Sequence, residues 1–198
     1  MHSETIHGVI GILLAGGKSS RMGTDKGMLE LHGKNFASHI FDALSSVFVN
    51  VWVIASDPRY KEQFPTVIED EVPDLGPAGG ILTALHQANS PYFIAGCDMP
   101  LLNGAAIRYL MKKSVPDHDA GVYTFGGQVY PLPGFYSPRC LNVFEEEVRS
   151  GNLKMQSILK KLNTAYVEFP MFEFSAKGKE LYNVNDPDDY EYLRKFTS

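Results

Sequence analysis

Cysteine is scarce in this chain. Cys97 and Cys140 are the only two in 198 residues, too few for a disulfide framework and without the paired spacing of a thiolate metal site, which suits a reducing cytosol. Positive charge is also in deficit: 18 lysines and arginines face 23 aspartates and glutamates, a net charge of -5. General attraction to nucleic acid or to an anionic membrane is therefore excluded, and any polyanion must be held by a local site. Long apolar runs are missing, since stretches such as Val9 to Ala15 fall far short of the ~20 residues of a spanning helix. Met1 to His7 carries no basic segment leading into an apolar stretch and a small-residue cleavage site, so a soluble, cytoplasmic protein is expected. No internal repeat, low-complexity tract or Pro/Gly/Ser linker interrupts the chain, and residues 1–198 are expected to form one domain. The six histidines show no ligand spacing.

The sequence does contain a strand-and-helix alternation. Val9 to Leu14 is a short continuous apolar run ending at glycines, as a buried parallel strand would. Phe36, Ile40, Ala43, Leu44 and Val47 recur at helical spacing, and Val51 to Ala55 is again rich in strand formers. The pattern continues with a strand at Thr66 to Ile68, a helix at Gly80 to Gln87 and a strand at Tyr92 to Ala95. Ala120 to Ser137, with Gly126-Gly127 between apolar runs, reads as a hairpin. Two helices are suggested by Leu141, Phe144 and Val148, then by Leu153, Ile158, Leu159 and Leu162. A strand follows near Ala165 to Phe169, and a last helix starts after Asp186-Pro187 with Tyr190 and Leu193 inward. Such alternation predicts an α/β fold, a mainly parallel sheet with helices on both faces.

The chemistry gathers where these strands end. Leu14-Ala15-Gly16-Gly17-Lys18-Ser19-Ser20-Arg21-Met22-Gly23-Thr24-Asp25-Lys26 directly follows the first strand. Its glycines let backbone N–H groups approach a phosphate closely, while Arg21 and Lys26 add the charge to neutralise oxygens that amides alone leave underpaired. The loop fits neither the Walker pattern nor the dinucleotide Gly-x-Gly-x-x-Gly pattern. Asp98 sits just past the strand Tyr92 to Ala95, where open parallel sheets bind ligands, and is expected to hold Mg²⁺, an ion that prefers carboxylate, water and phosphate oxygens. Asp70 has two open readings: a ribose contact or a solvated strand end. Gly76 to Gly80 either wraps a base edge through its backbone or begins the next helix. In Asn183-Val184-Asn185-Asp186-Pro187, a strand-like alternation would put Asn183 and Asn185 on one face, and Asp186 is suited to cap the final helix. Cys97 is expected to pack as a small apolar residue.

Together, the glycine loop with Arg21 and Lys26, the Asp70 strand end, Gly76 to Gly80, Cys97-Asp98-Met99-Pro100 and Asn183-Val184-Asn185 resemble the molybdenum cofactor guanylyltransferase family over nearly the whole chain. The resemblance implies a single Rossmann-like nucleotidyltransferase domain that moves GMP from GTP to molybdenum-molybdopterin, yielding molybdopterin guanine dinucleotide and pyrophosphate. It implies that Leu14, Ala15, Gly16 and Gly17 meet the nucleotide, Lys26 the phosphates, Asp70 the nucleoside, and Asp98 both GTP and Mg²⁺. Arg21, Lys26 and Asp98 would be the catalytic set, with Asn183 and Asn185 toward the acceptor. Cofactor-biosynthesis proteins and molybdoenzyme apoproteins are implied partners. One position departs from the pattern: where some members carry a nucleotide-binding Asn, this chain has Ile54.

Neighbouring readings are a cytidylyltransferase of the molybdenum cofactor or of an isoprenoid phosphate, a sugar-1-phosphate nucleotidyltransferase, or a non-catalytic cofactor-binding assembly protein. Gly16-Gly17 and Asp25-Lys26-Gly27 resemble the guanylyl family more than the cytidylyl ones, whose loop usually reads Ala-Ala-Gly. Sugar nucleotidyltransferases usually run longer. Lys26, Arg21 and Asp98 together favour an enzyme over a binding protein.

Overall fold

A computed structural model describes residues 5–16, 24–170 and 178–197. The chain runs through β1 (Ile6–Leu14), β2 (Glu30–Leu31), β3 (Lys34–Asn35), α1 (Phe36–Ser45), β4 (Phe48–Ile54), α2 (Arg59–Gln63), β5 (Val67–Ile68) and α3 (Gly76–Gln87). It continues with β6 (Tyr92–Gly96), α4 (Gly104–Ser114), β7 (Ala120–Phe125), β8 (Gln128–Tyr136), α5 (Leu141–Arg149), α6 (Met155–Leu159), β9 (Thr164–Glu168) and α7 (Pro187–Thr197). Among the described residues, seven strands form one sheet in the order β5-β4-β1-β6-β8-β7-β9. All neighbours are parallel except β8, which is antiparallel to both β6 and β7. The exception follows from the hairpin: Gly126 and Gly127 have φ of 57° and 78°, the left-handed pair that a tight two-residue turn requires.

Alternation along the strands builds a core on each face of the sheet. Leu13, Val53, Phe93 and Ala95 point one way, onto Ile40 and Leu44 of α1 and Ile107 and Leu110 of α4. Ile12, Ile94 and Tyr92 point the other way, onto Ile81 and Leu85 of α3, Phe144 of α5 and Ile158 of α6. Successive side chains of a strand face opposite sides, so a sheet covered twice needs the continuous apolar runs seen here. The expected α/β fold therefore holds.

Three local points are decided by the structure. Of the two readings of Gly76 to Gly80 the second holds, since these residues begin α3, four residues ahead of the expected start at Gly80. Its glycines serve packing: a Cβ on Gly79 would lie 2.7 Å from the Val72 carbonyl oxygen, and one on Gly80 would meet the Leu14 side chain at 3.0 Å. Next, Asn183 to Asn185, expected to alternate as a strand would, belongs to no strand. Finally, α4 was not among the predicted elements, although Asn103 caps it by accepting the Ala106 N–H at 3.0 Å and Ala106, Ile107, Leu110 and Met111 are its buried stripe.

The C-terminal segment is fastened by a smaller cluster in which Val184 and Leu193 pack with Leu31 and Phe36. Asp186 caps α7 as expected, its Oδ1 accepting the Asp189 N–H at 2.9 Å, while the Asp189 carboxylate accepts the Asn185 N–H at 2.8 Å. This reciprocal cap fixes the chain entering α7. The Val184 N–H in turn donates to the Asp98 carbonyl at 2.8 Å, which lays residues 183–185 against the end of β6.

Candidate functional site

The parallel register brings four strand ends into line: Ile68 beside Ile54, Ile54 beside Leu14, and Leu14 beside Gly96. Just past them come Asp70, Ser56, Ala15-Gly16 and Cys97-Asp98. Main-chain bonds hold these exits together, with the Ala15 N–H donating to Ile54 O at 2.9 Å and the Cys97 N–H to Leu14 O at 3.2 Å. Gly16 is exposed at φ 112°, a conformation that leaves its amide backbone open to a ligand with no side chain in the way. Gly17 and Arg21 lie outside the described residues.

Asp98 is half-buried, and its carboxylate folds back on the strand end, where a Cβ on Gly96 would lie 2.9 Å from its Oδ1. Loss of water pushes its pKa up, while the Lys26 charge and a hydrogen bond from Asn183 pull it down; the net direction is upward. A carboxylate whose charge is disfavoured in this way gains from an added cation. Asn183 Oδ1 is buried and finds no hydrogen-bond partner among the described residues, an acceptor open to a ligand, an ion or water. Lys26 Nζ donates to Asn185 Oδ1 at 3.3 Å. The fold thus gathers Lys26, Asp98, Asn183 and Asn185 into one constellation.

The other expected residues are placed differently. Asp70 stands at the far end of the line of strand ends, where its Oδ1 accepts from Thr83 Oγ1 at 2.8 Å and from the Val72 N–H at 3.2 Å. Ile54 is 2 % exposed and packs under α3, so the position where the resemblance led to an expected Asn belongs to the core here. Cys97 is buried and its thiol is pushed up to about 12 by burial, as expected of a packing residue.

Beside Asn183 and Asn185 lies a cavity of about 320 Å³ walled by Phe125, Gln128, Tyr130 and Tyr182. Tyr182 was not among the residues expected from the sequence, where its only signal is its position beside Asn183. A more open depression of about 400 Å³, lined by Leu82, Glu145, Val148 and Arg149, gathers no comparable polar set. Among the described residues, no three His, Cys, Asp or Glu side chains are grouped to hold a metal. No helix of the described residues is long and apolar enough to cross a membrane.

Gly16 past the end of β1, Lys26 after it and Asp98 past the neighbouring strand are residue types suited to a nucleoside triphosphate. The chain is 34% identical to a molybdenum cofactor guanylyltransferase of Syntrophotalea carbinolica, over 93% of this chain and 90% of the relative. It is 32% identical to a probable molybdenum cofactor guanylyltransferase of Carboxydothermus hydrogenoformans, over 94% and 95% of the two chains. The crystal structure of molybdopterin-guanine dinucleotide biosynthesis protein A from Archaeoglobus fulgidus has the same fold, with a TM-score of 0.81 at 22% identity, covering 96% of this chain and 98% of that one. Residues 11–165 match the family model of the MobA-like NTP transferase domain, and the chain belongs to that family of nucleotidyltransferases.

Proposed function

We propose that this protein transfers GMP from GTP to molybdenum-molybdopterin, releasing pyrophosphate and forming the molybdopterin guanine dinucleotide cofactor. The observation that carries the reading is the convergence of Lys26, Asp98, Asn183 and Asn185 beside an aromatic-walled cavity. The likeness to relatives named as guanylyltransferases supports the choice of base and acceptor. Flat rings of Phe125, Tyr130 and Tyr182 suit a fused heterocycle such as a pterin, which stacks on aromatic faces.

The acceptor is a phosphomonoester, already largely ionised at neutral pH because its second pKa is near 6, so no strong general base is needed. Its oxygen attacks the α-phosphorus, the bond to the β-phosphate oxygen breaks, and pyrophosphate leaves with the electron pair. Catalysis is then a matter of alignment and of charge. Lys26 and Arg21 neutralise the triphosphate; Leu14, Ala15, Gly16 and Gly17 present backbone to the nucleotide; Asp70 serves the nucleoside; and Asn183 and Asn185 orient the acceptor. Asp98, with the Asn183 Oδ1 beside it, would hold a Mg²⁺ ion, which would supply positive charge to the α-phosphate and the leaving group. The reaction is assigned to the cytoplasm, with cofactor-biosynthesis proteins and molybdoenzyme apoproteins as partners.

The test incubates purified protein with Mg²⁺, molybdopterin or its molybdenum-loaded form, and GTP or CTP in turn, and measures pyrophosphate and dinucleotide. Dinucleotide with GTP alone is the expected result. Product with CTP instead overturns the base assignment, and product with neither overturns the acceptor.

A further inference from the structure

Lys26 opens a helical turn of three residues, Lys26–Met28, too short to fix its own direction. Its anchor is Asp25, whose Oδ1 accepts the Gly27 N–H at 2.9 Å. The same carboxylate is held from α2: the Tyr60 hydroxyl, 35 residues further along the chain, stands 3.0 Å from both of its oxygens. Tyr60 is fully buried and stacks on Phe64 with ring centroids 6.1 Å apart, so the hydroxyl has one place to be. Room for it exists only because residue 27 is glycine, where a Cβ would lie 2.1 Å from that oxygen. Burial also lifts the phenol well above its ordinary range, which keeps it a donor.

We infer that Asp25 and Tyr60 are positioning residues for Lys26. The buried hydroxyl holds the carboxylate, the carboxylate holds the turn, and the turn sends the Lys26 side chain toward Asn185 and the nucleotide phosphates. A lysine is a point charge on a flexible four-carbon stem, and the lever that aims it is its backbone root. Misplacement of about 1 Å in a catalytic group costs as much as ~100-fold in rate, which is why a hydrogen bond remote from the reacting atoms can matter. The inference rests on the phosphate role proposed for Lys26.

The test is a double-mutant cycle read by GTP affinity in the presence of Mg²⁺, with melting temperature followed alongside. Tyr60→Phe weakens GTP binding by roughly three- to tenfold, the loss of one hydrogen bond, in a protein that still folds. Asp25→Ala does at least as much. Asp25→Asn, which keeps an oxygen for the Gly27 N–H, recovers most of the affinity. In a Lys26→Ala background the effect of Tyr60→Phe disappears, because the residue it acts through is gone. Equal factors in both backgrounds, or silence of Tyr60→Phe in the parent protein, overturn the positioning role while leaving Lys26 on the phosphates. Unchanged GTP binding in Lys26→Ala alone removes the phosphate role itself and the inference with it.

Discussion

Asp98 is a residue whose burial costs stability at the place where the proposed function needs its charge. Its carboxylate lies against Gly96 in partial burial, and its pKa is raised first by loss of water. A carboxyl group with a folded pKa above its unfolded value binds more protons in the native state, so stability falls as pH rises through that interval. At neutral pH the charge is therefore a net burden on the fold. Asp98→Asn is expected to hold or raise the melting temperature while lowering the rate of pyrophosphate release by about 100-fold or more; Asp98→Ala is expected to abolish turnover in a folded protein. Retained activity in either variant would remove Asp98 from the metal role. The residue scale is also where the sequence reads best, since Lys26 and Asp98 announce themselves by chemical type at strand ends. Ile54 is legible in the same way, because an apolar residue in a run of strand formers belongs to the core, where it lies.

Between elements, the pairing of α3 with α5 carries a titratable clasp. His86 near the end of α3 bonds Glu71 at 3.0 Å through Nδ1 and Glu145 of α5 at 3.3 Å through Nε2. The two carboxylates, Glu71 first, raise the histidine above its ordinary value of 6.5. A raised histidine contributes stability that is fully present below the unfolded pKa and lost as pH rises through the folded one. All three side chains are well exposed, so the contribution is small and weakened by salt. Melting curves of the parent should decline slightly from mildly acidic toward neutral and alkaline pH, and His86→Gln should flatten that decline; parallel curves would show that the clasp contributes nothing. Elements with strong local signals, such as β1, the Gly126-Gly127 hairpin and α7 behind its Asp186 cap, were readable from pattern. The glycines of Gly76 to Gly80 were not, because a glycine that avoids a clash and one that bends a loop look alike until the Val72 carbonyl and the Leu14 side chain are in place.

For the whole molecule, the constellation proposed for catalysis depends on docking the C-terminal segment against the β2, β3 and α1 region far from it in sequence. Leu193 and Val184 are fully buried against Leu31 and Phe36, and the Tyr190 hydroxyl donates to Glu30 O at 2.7 Å. Leu193→Ala should cost ~2–5 kcal/mol, the usual range for a buried leucine, measurable by urea denaturation. Because the same cluster delivers Asn183 and Asn185, the variant should also lose activity under conditions where it remains folded. Full activity there would mean that the segment docks without this anchor. The sequence by itself determined the alternation of strands and helices, the apolar faces that force a doubly covered sheet, and the residue types able to hold a triphosphate, since these follow from periodicity and chemical character along a local stretch. Only the tertiary structure decided that Asn185 meets Lys26 across 159 residues, that Asn183 stands over Asp98, and that Tyr60 reaches Asp25. Such meetings depend on strand order and on which apolar surfaces find each other, and no local pattern encodes them.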